Sequence, residues 1–245
     1  MVSACALAGA LGGMWLRTVL PAHHLDGETR DTVKVGIGLV ATMTALVLGL
    51  ITASAKSSFD GVDAAVKEAA LNVLSLDRML ARYGPETAPL RATLKEALDH
   101  RIAMIWPQNG AQAPQLDVSE GATRVEALAS ALHALQPANE GQRYLQARAE
   151  DIAEQLLKTR WLVSASAASS VPGPFLGILL FWLTITFASF GLFAPRHATV
   201  VVVLVVCAMS VGGAVFLVLE MDQPFQGLLK VSPDPLRYAA AQLGK

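Results

Sequence analysis

Small and hydroxyl side chains recur through the apolar stretch 35–55 at a spacing that gathers them on one side of a helix: Gly38, Ala41, Thr42, Ala45, Gly49, Thr52 and Ala53. At about 100° per residue they share an arc of about 120°, and Lys34 and Lys56 project onto the same arc from its two ends. Two readings stand side by side. Small residues at four-residue spacing let helix backbones approach closely in lipid. The same residues leave a lumen open, and lysines ringing each mouth of an oligomer would concentrate anions. Glu220 and Asp222 follow the last apolar run; acidic groups at a membrane end are either hydrated interface residues or an ion site. His23-His24-Leu25-Asp26-Gly27-Glu28 sets imidazoles beside carboxylates, but its spacing matches neither a helical ligand pair nor a calcium loop, so no metal centre is expected there. The charge cluster from Asp77 to Glu86 reads as a solvated or ion-paired turn. No nucleophile with a base, paired acid and base, or phosphate-cradling glycine loop is recognisable, so no catalytic residue, metal or cofactor is expected. Gly36-x-Gly38 lies within an apolar run and is no nucleotide fingerprint.

The elements that would position these residues follow from the distribution of charge. Of 245 residues 53% are apolar and 16% charged, with a mean hydropathy of +0.45, unlike an ordinary soluble domain. No Asp, Glu, Lys or Arg falls in 1–16, 35–55, 161–195 or 197–219. A bilayer core needs about 20 apolar helical residues. Four spans are therefore predicted, over 2–20, 35–55, 175–193 and 198–219. The first is marginal because Arg17 interrupts it. Arg17 also follows the apolar run, the reverse of a signal peptide's order. Ala4, Ala8 and Gly12 in the first span, and Ala208 and Gly212 in the fourth, have the spacing of packing contacts within the bundle. The net charge of −1 excludes a strongly basic nucleic-acid binder. Cys5 and Cys207 sit in apolar runs and offer no disulfide framework.

Between the second and third spans the chain turns polar. Val62, Val66, Ala69, Val73, Leu76 and Leu80 recur at three and four, with no breaker between them and the second span. One long helix is predicted to run from the second span to Tyr83-Gly84-Pro85. A second helix from Pro85 presents Leu90, Leu94, Leu98, Ile102 and Ile105; a loop follows over 108–115. A third, starting near Asp117 or Ser119, presents Val125, Leu128, Leu132 and Leu135. A fourth, from near Asn139, presents Tyr144, Ile152, Leu156 and Leu157. The expected fold is an all-α membrane protein: four transmembrane helices with an inserted cytoplasmic antiparallel helical bundle, the long helix continuing from the second span. Its parts are 1–56 (spans one and two), 57–168 (bundle), 169–224 (spans three and four) and 225–245, an interfacial or cytoplasmic tail carrying Leu228, Leu229, Leu236, Tyr238 and Leu243. Arg17, Arg30, Lys34 and Arg196 mark one side of the membrane. Lys56, Lys67, Lys158, Arg160, Lys230, Arg237 and Lys245 mark the other, and their excess puts the bundle and both termini in the cytoplasm.

Several runs occur together in an order that resembles a known family. They are Leu20-Pro21, His23-His24-Leu25, Thr29-Arg30-Asp31 and Ser54-Ala55-Lys56-Ser57-Ser58; Leu76-Asp77-Arg78, Tyr83-Gly84-Pro85-Glu86 and Ile105-Trp106-Pro107; and Thr159-Arg160-Trp161, Phe193-Ala194-Pro195-Arg196 and Leu219-Glu220-Met221-Asp222-Gln223-Pro224-Phe225. Across essentially its whole length the chain is similar to the bacterial membrane proteins called bestrophin-like, a domain of unknown function. The resemblance implies relation to bestrophins, which are oligomeric anion channels with four spans per subunit and a helical cytoplasmic domain. The second span departs from them in carrying no Phe, Trp or Tyr, so no bestrophin neck residue is carried over. The expected function is an oligomeric ion channel of the bacterial inner membrane, for anions more than cations, with the lipid bilayer, ions and further copies of itself as partners. The alternative is a non-conducting scaffold or sensor whose bundle binds another protein.

Overall fold

The computed structural model describes residues 1–21, 26–107, 118–166, 173–195 and 197–245, with side chains of 118–125 and 160–166 excepted. The expectations placed on His23, His24, Leu25, Val125, Arg160, Trp161, Arg196 and the loop 108–115 lie outside what is described. The described residues are helical, with no strand: α1 (Val2–Val19), α2 (Gly27–Tyr83), a 3-10 turn (Pro85–Thr87), α3 (Ala88–Ile105), α4 (Val118–His133), α5 (Glu140–Ser166), α6 (Gly173–Phe193), α7 (Ala198–Met221) and α8 (Asp234–Gln242). Four of these, α1, α2, α6 and α7, are long and apolar enough to cross a membrane. The chain divides into two compact units, residues 1–57 with 169–222 and residues 58–168 with 223–245.

In the first unit α1 packs along α6 and α7. Glycine makes this possible. A Cβ at Gly13 would run into the Ala188 carbonyl, one at Gly191 into the Ala10 carbonyl, and one at Gly9 would lie 2.6 Å from the Thr184 oxygen. Such backbone-to-backbone approach maximises dispersion where lipid supplies no hydrophobic drive between helices. The contact register of α1 is Ala6, Ala10 and Gly13, and this corrects the expectation for Ala4, Ala8 and Gly12, all of which are exposed. Both registers are small; only the former carries Gly at the point where two backbones touch. In α7 Ala208 is fully buried, and a Cβ at Gly212 would strike the Ser3 side chain. The Arg17 guanidinium, half-buried, donates to the Ala194 carbonyl just past the end of α6. A cation at a helix C-terminus answers both its unpaired carbonyls and its dipole.

α2 begins earlier than its apolar run, because Asp26 Oδ1 accepts the Thr29 amide at 2.9 Å as an N-cap and Asp31 pairs with Lys34 one turn on. The charged residues Arg30, Asp31 and Lys34 thus stand on the first turns of the helix rather than in a loop.

The second unit has one core. Val62, Val66, Val73, Leu76 and Leu80 of α2 meet Leu94, Leu98, Ile102 and Ile105 of α3, Leu128 and Leu132 of α4, and Ala149, Ile152 and Ala153 of α5. Tyr144, expected on the inner face of α5, is 69% exposed, because the buried face of that helix runs through Ala149, Ile152 and Ala153. α2 stops at Gly84, whose φ of +149° suits glycine. The Thr87 hydroxyl lies 2.5 Å from the Leu80 carbonyl and 2.8 Å from that of Gly84, and Gln142 Nε2 donates to the Tyr83 carbonyl at 2.9 Å. These contacts occupy carbonyls the helix end would leave unpaired.

Gly191→Ala forces apart backbones in contact and is expected to lower stability by about 1–3 kcal/mol, seen as a reduced thermal midpoint of the detergent-solubilised protein. Gly12→Ala, which meets open space, leaves that midpoint unchanged or slightly raised.

Candidate functional site

Within the first unit α2 presents three faces. The inner face packs on the chain itself: Thr44, Ile51 and Ala55 are buried, and Ile51 and Ala55 share a cluster with Val218 of α7 and Leu176 of α6. A second face carries Val35, Leu39, Met43, Leu46 and Leu50, all bulky and 47–77% exposed. The third is the small stripe. Gly38, Thr42, Ala45, Gly49, Thr52 and Ala53 are exposed and Ala41 is half-buried. No atom lies within 4 Å of a Cβ built at Gly38 or Gly49. Gly38 and Ala41 border a recess shared with α6 and α7, whereas Thr42, Ala45, Gly49, Thr52 and Ala53 stand open on the surface of the chain.

The polar groups on that face are satisfied locally. Thr42 Oγ1 donates to the Gly38 carbonyl at 2.9 Å and Thr52 Oγ1 to that of Leu48 at 2.7 Å, while Thr44 does the same to Val40 on the buried face. The hydroxyls thus offer lone pairs outward while their protons stay on the helix. Positive charge comes from the two ends. Lys34, 56% exposed, holds Asp31 at 3.1 Å, an exposed pair that contributes little to stability; Lys56 is also exposed. The lysines are separated by about 33 Å of helix, close to the thickness of a bilayer core.

The other acidic candidates stand apart from the stripe in sequence and element. Glu220 and Asp222 are half-buried in and just beyond the last turn of α7, where the Asp222 amide donates to the Val218 carbonyl at 3.2 Å. Among the described residues no three His, Cys, Asp or Glu side chains converge as metal ligands. Cys5 and Cys207 are free thiols, both exposed.

The second unit holds an arrangement that spacing alone did not reveal. Asp77, 1% exposed, accepts two hydrogen bonds from Arg91, at 2.7 Å from Nε and 3.0 Å from Nη2. The hydrogen bond to Asp77 raises the Arg91 pKa against the opposing effect of its own burial. The C-terminus closes on this pair: the Gly244 amide points to Asp77 Oδ2 at 3.4 Å, and Arg91 Nη2 to the Lys245 carbonyl at 3.5 Å. Nearer the start of the tail, Trp106 Nε1 donates to the Val231 carbonyl at 2.9 Å, and its ring meets Phe225 edge-on at 5.6 Å. Of the tail residues expected at an interface, Leu236 and Leu243 are buried in the bundle core, whereas Leu228, Leu229 and Tyr238 are exposed. Burial pushes the Tyr83 phenol up, and the Glu86 charge adds to that.

The family model for a bestrophin-like domain matches residues 4–236, nearly the whole chain. The chain belongs to the bestrophin-like family. With four helices long and apolar enough to span a bilayer, this bestrophin-like chain is a membrane protein. Its fold is also that of a solved structure, a point mutant of a bacterial bestrophin homologue from Klebsiella pneumoniae. The likeness has a TM-score of 0.67 and 14% sequence identity, and covers 98% of this chain and 97% of that one. Among curated proteins none matches the sequence.

Asp77→Asn leaves Arg91 against a neutral amide in a buried setting and is expected to cost about 2–3 kcal/mol, at the low end for a buried pair because Arg91 keeps some solvent. The thermal midpoint should fall in Asp77→Asn and recover in part when Arg91→Met is added; an unchanged midpoint in the single variant would show that the pair does not hold the tail.

Proposed function

We propose that this protein is an oligomeric ion channel of the bacterial inner membrane, conducting anions in preference to cations. In this reading α1, α2, α6 and α7 each cross the bilayer, the helical bundle and both termini are cytoplasmic, and 225–245 is a cytoplasmic tail laid on the bundle. The small face of α2 lines a path on the symmetry axis. The observation that carries the proposal is the outward placement of Thr42, Ala45, Gly49 and Thr52, a face narrow in side chains and exposed on the single chain.

Packing against a second copy and lining a path are compatible. Helices around an axis touch their neighbours with the edges of the face that looks inward, and small residues serve both ends. Selectivity in this account is a field effect. The threonine protons are held by helix carbonyls, so the positive potential comes from Lys56, repeated around the ring at its mouth. Family membership and the bestrophin fold support the channel reading over a scaffold whose bundle recruits a partner. Neither Glu220 nor Asp222 is given a role in conduction; both are proposed as hydrated groups at the cytoplasmic end of α7.

Purified protein in planar bilayers should pass current with a reversal potential displaced toward the anion's in a salt gradient. Lys56→Glu should move that potential toward the cation's. Absence of current at any voltage from protein reconstituted at high density would favour the scaffold.

A further inference from the structure

One cavity of about 560 Å³ opens among α2, α6 and α7 in the first unit, within the size range of ligand pockets. Its lining is ordered by polarity. Arg30 and Lys34 of α2 stand at one end, while apart from these, Ser189 and Thr199 the lining is apolar, with Phe190, Phe193, Val203 and Leu204 forming its wall. Hydrocarbon beneath paired cations is the pattern that recognises an amphiphilic anion.

We propose that this cavity seats an anionic phospholipid, with the headgroup phosphate on Arg30 and Lys34 and an acyl chain against Phe190, Phe193 and Val203. Three observations support that occupant. Arg30 is exposed and forms no ion pair with a described residue, and Lys34 is shared only with an exposed Asp31, so both cations can take a phosphate at small cost. Arg30 also lies in the opening turns of α2, the end where the helix dipole favours anions and a cation gains nothing from it. The walls belong to α6 and α7, which carry no charged residue between Gly173 and Phe193 or between Ala198 and Leu219, so water there would face mostly carbon and an acyl chain would not. Basic pockets between membrane helices hold lipid headgroups on the same physical grounds.

The proposal rests on α2, α6 and α7 crossing the bilayer, but not on conduction, and its test reads lipid retention rather than current. Full-length protein in detergent is titrated with phosphatidylglycerol, with phosphatidylcholine of the same chains, and with inorganic phosphate, and bound mass is read by native mass spectrometry. Wild type and the charge-keeping variant Arg30→Lys with Lys34→Arg should retain phosphatidylglycerol. Arg30→Gln with Lys34→Gln should weaken it about thirtyfold, each cation near the surface contributing about fivefold. Val203→Trp, which fills the cavity without touching charge, should weaken it as well, in protein that elutes at the wild-type position. Equal retention of phosphatidylcholine, displacement of the lipid by inorganic phosphate, or chains crosslinked through Val203→Cys with no lipid bound would each overturn the proposal.

Discussion

A helix can bury only one side against its own chain, and in the apolar half of α2 that side is a minority of the circumference. Thr44, Ile51 and Ala55 turn inward, the last two onto α6 and α7. The rest of the surface has to find partners elsewhere, and it is not uniform. Bulky Val35, Leu39, Met43, Leu46 and Leu50 occupy one part, and the small stripe another. In a bilayer the first is a surface for lipid or a neighbour's apolar side chains. The second gains nothing from lipid, because Gly and Ala expose backbone and little carbon, so its presence over several turns calls for close approach or an open path.

The inner face of α2 is held in place by helices that are themselves tightly joined. α1 and α6 meet backbone to backbone at Gly13 and Gly191, and Arg17 closes the end of α6 through the Ala194 carbonyl. Arg17 thereby turns from an interruption in a span into the group that finishes its neighbour. In the other unit the tail plays the comparable part. Trp106 and Phe225 anchor its start and the Asp77–Arg91 pair receives its end, with Val231, Leu236 and Leu243 buried between.

Much of this was legible from periodicity. The apolar runs mark the four long helices, and the three-and-four spacing from Val62 to Leu80 foretells a helix that continues to Tyr83, as α2 does. The composition of the stripe was also plain. What escaped were facts of register and long-range pairing. Ala4, Ala8 and Gly12 look as suited to packing as Ala6, Ala10 and Gly13, and only the position of the Ala188 carbonyl separates them. Tyr144 fits the apolar pattern of α5 but sits a turn away from the small residues that admit the core. The partnership of Asp77 with Arg91 and of Trp106 with Val231 joins positions with no periodic relation; unusual residues at helix ends, Trp before Pro and Asp within an apolar stripe, were the signal available. Cavity and cationic rim likewise bring together three helices distant in sequence.

The central claim is that the small face of α2 looks onto water while its bulky neighbour looks onto hydrocarbon. Single cysteines placed along both faces, in protein whose native Cys5 and Cys207 are replaced by Ser and Ala, test this in reconstituted vesicles with a charged, membrane-impermeant thiol reagent. Modification of cysteine at positions 42, 45, 49 and 52, with protection at 39, 43, 46 and 50, is the expected result. Protection along both faces, or labelling of the bulky face alone, would contradict the account.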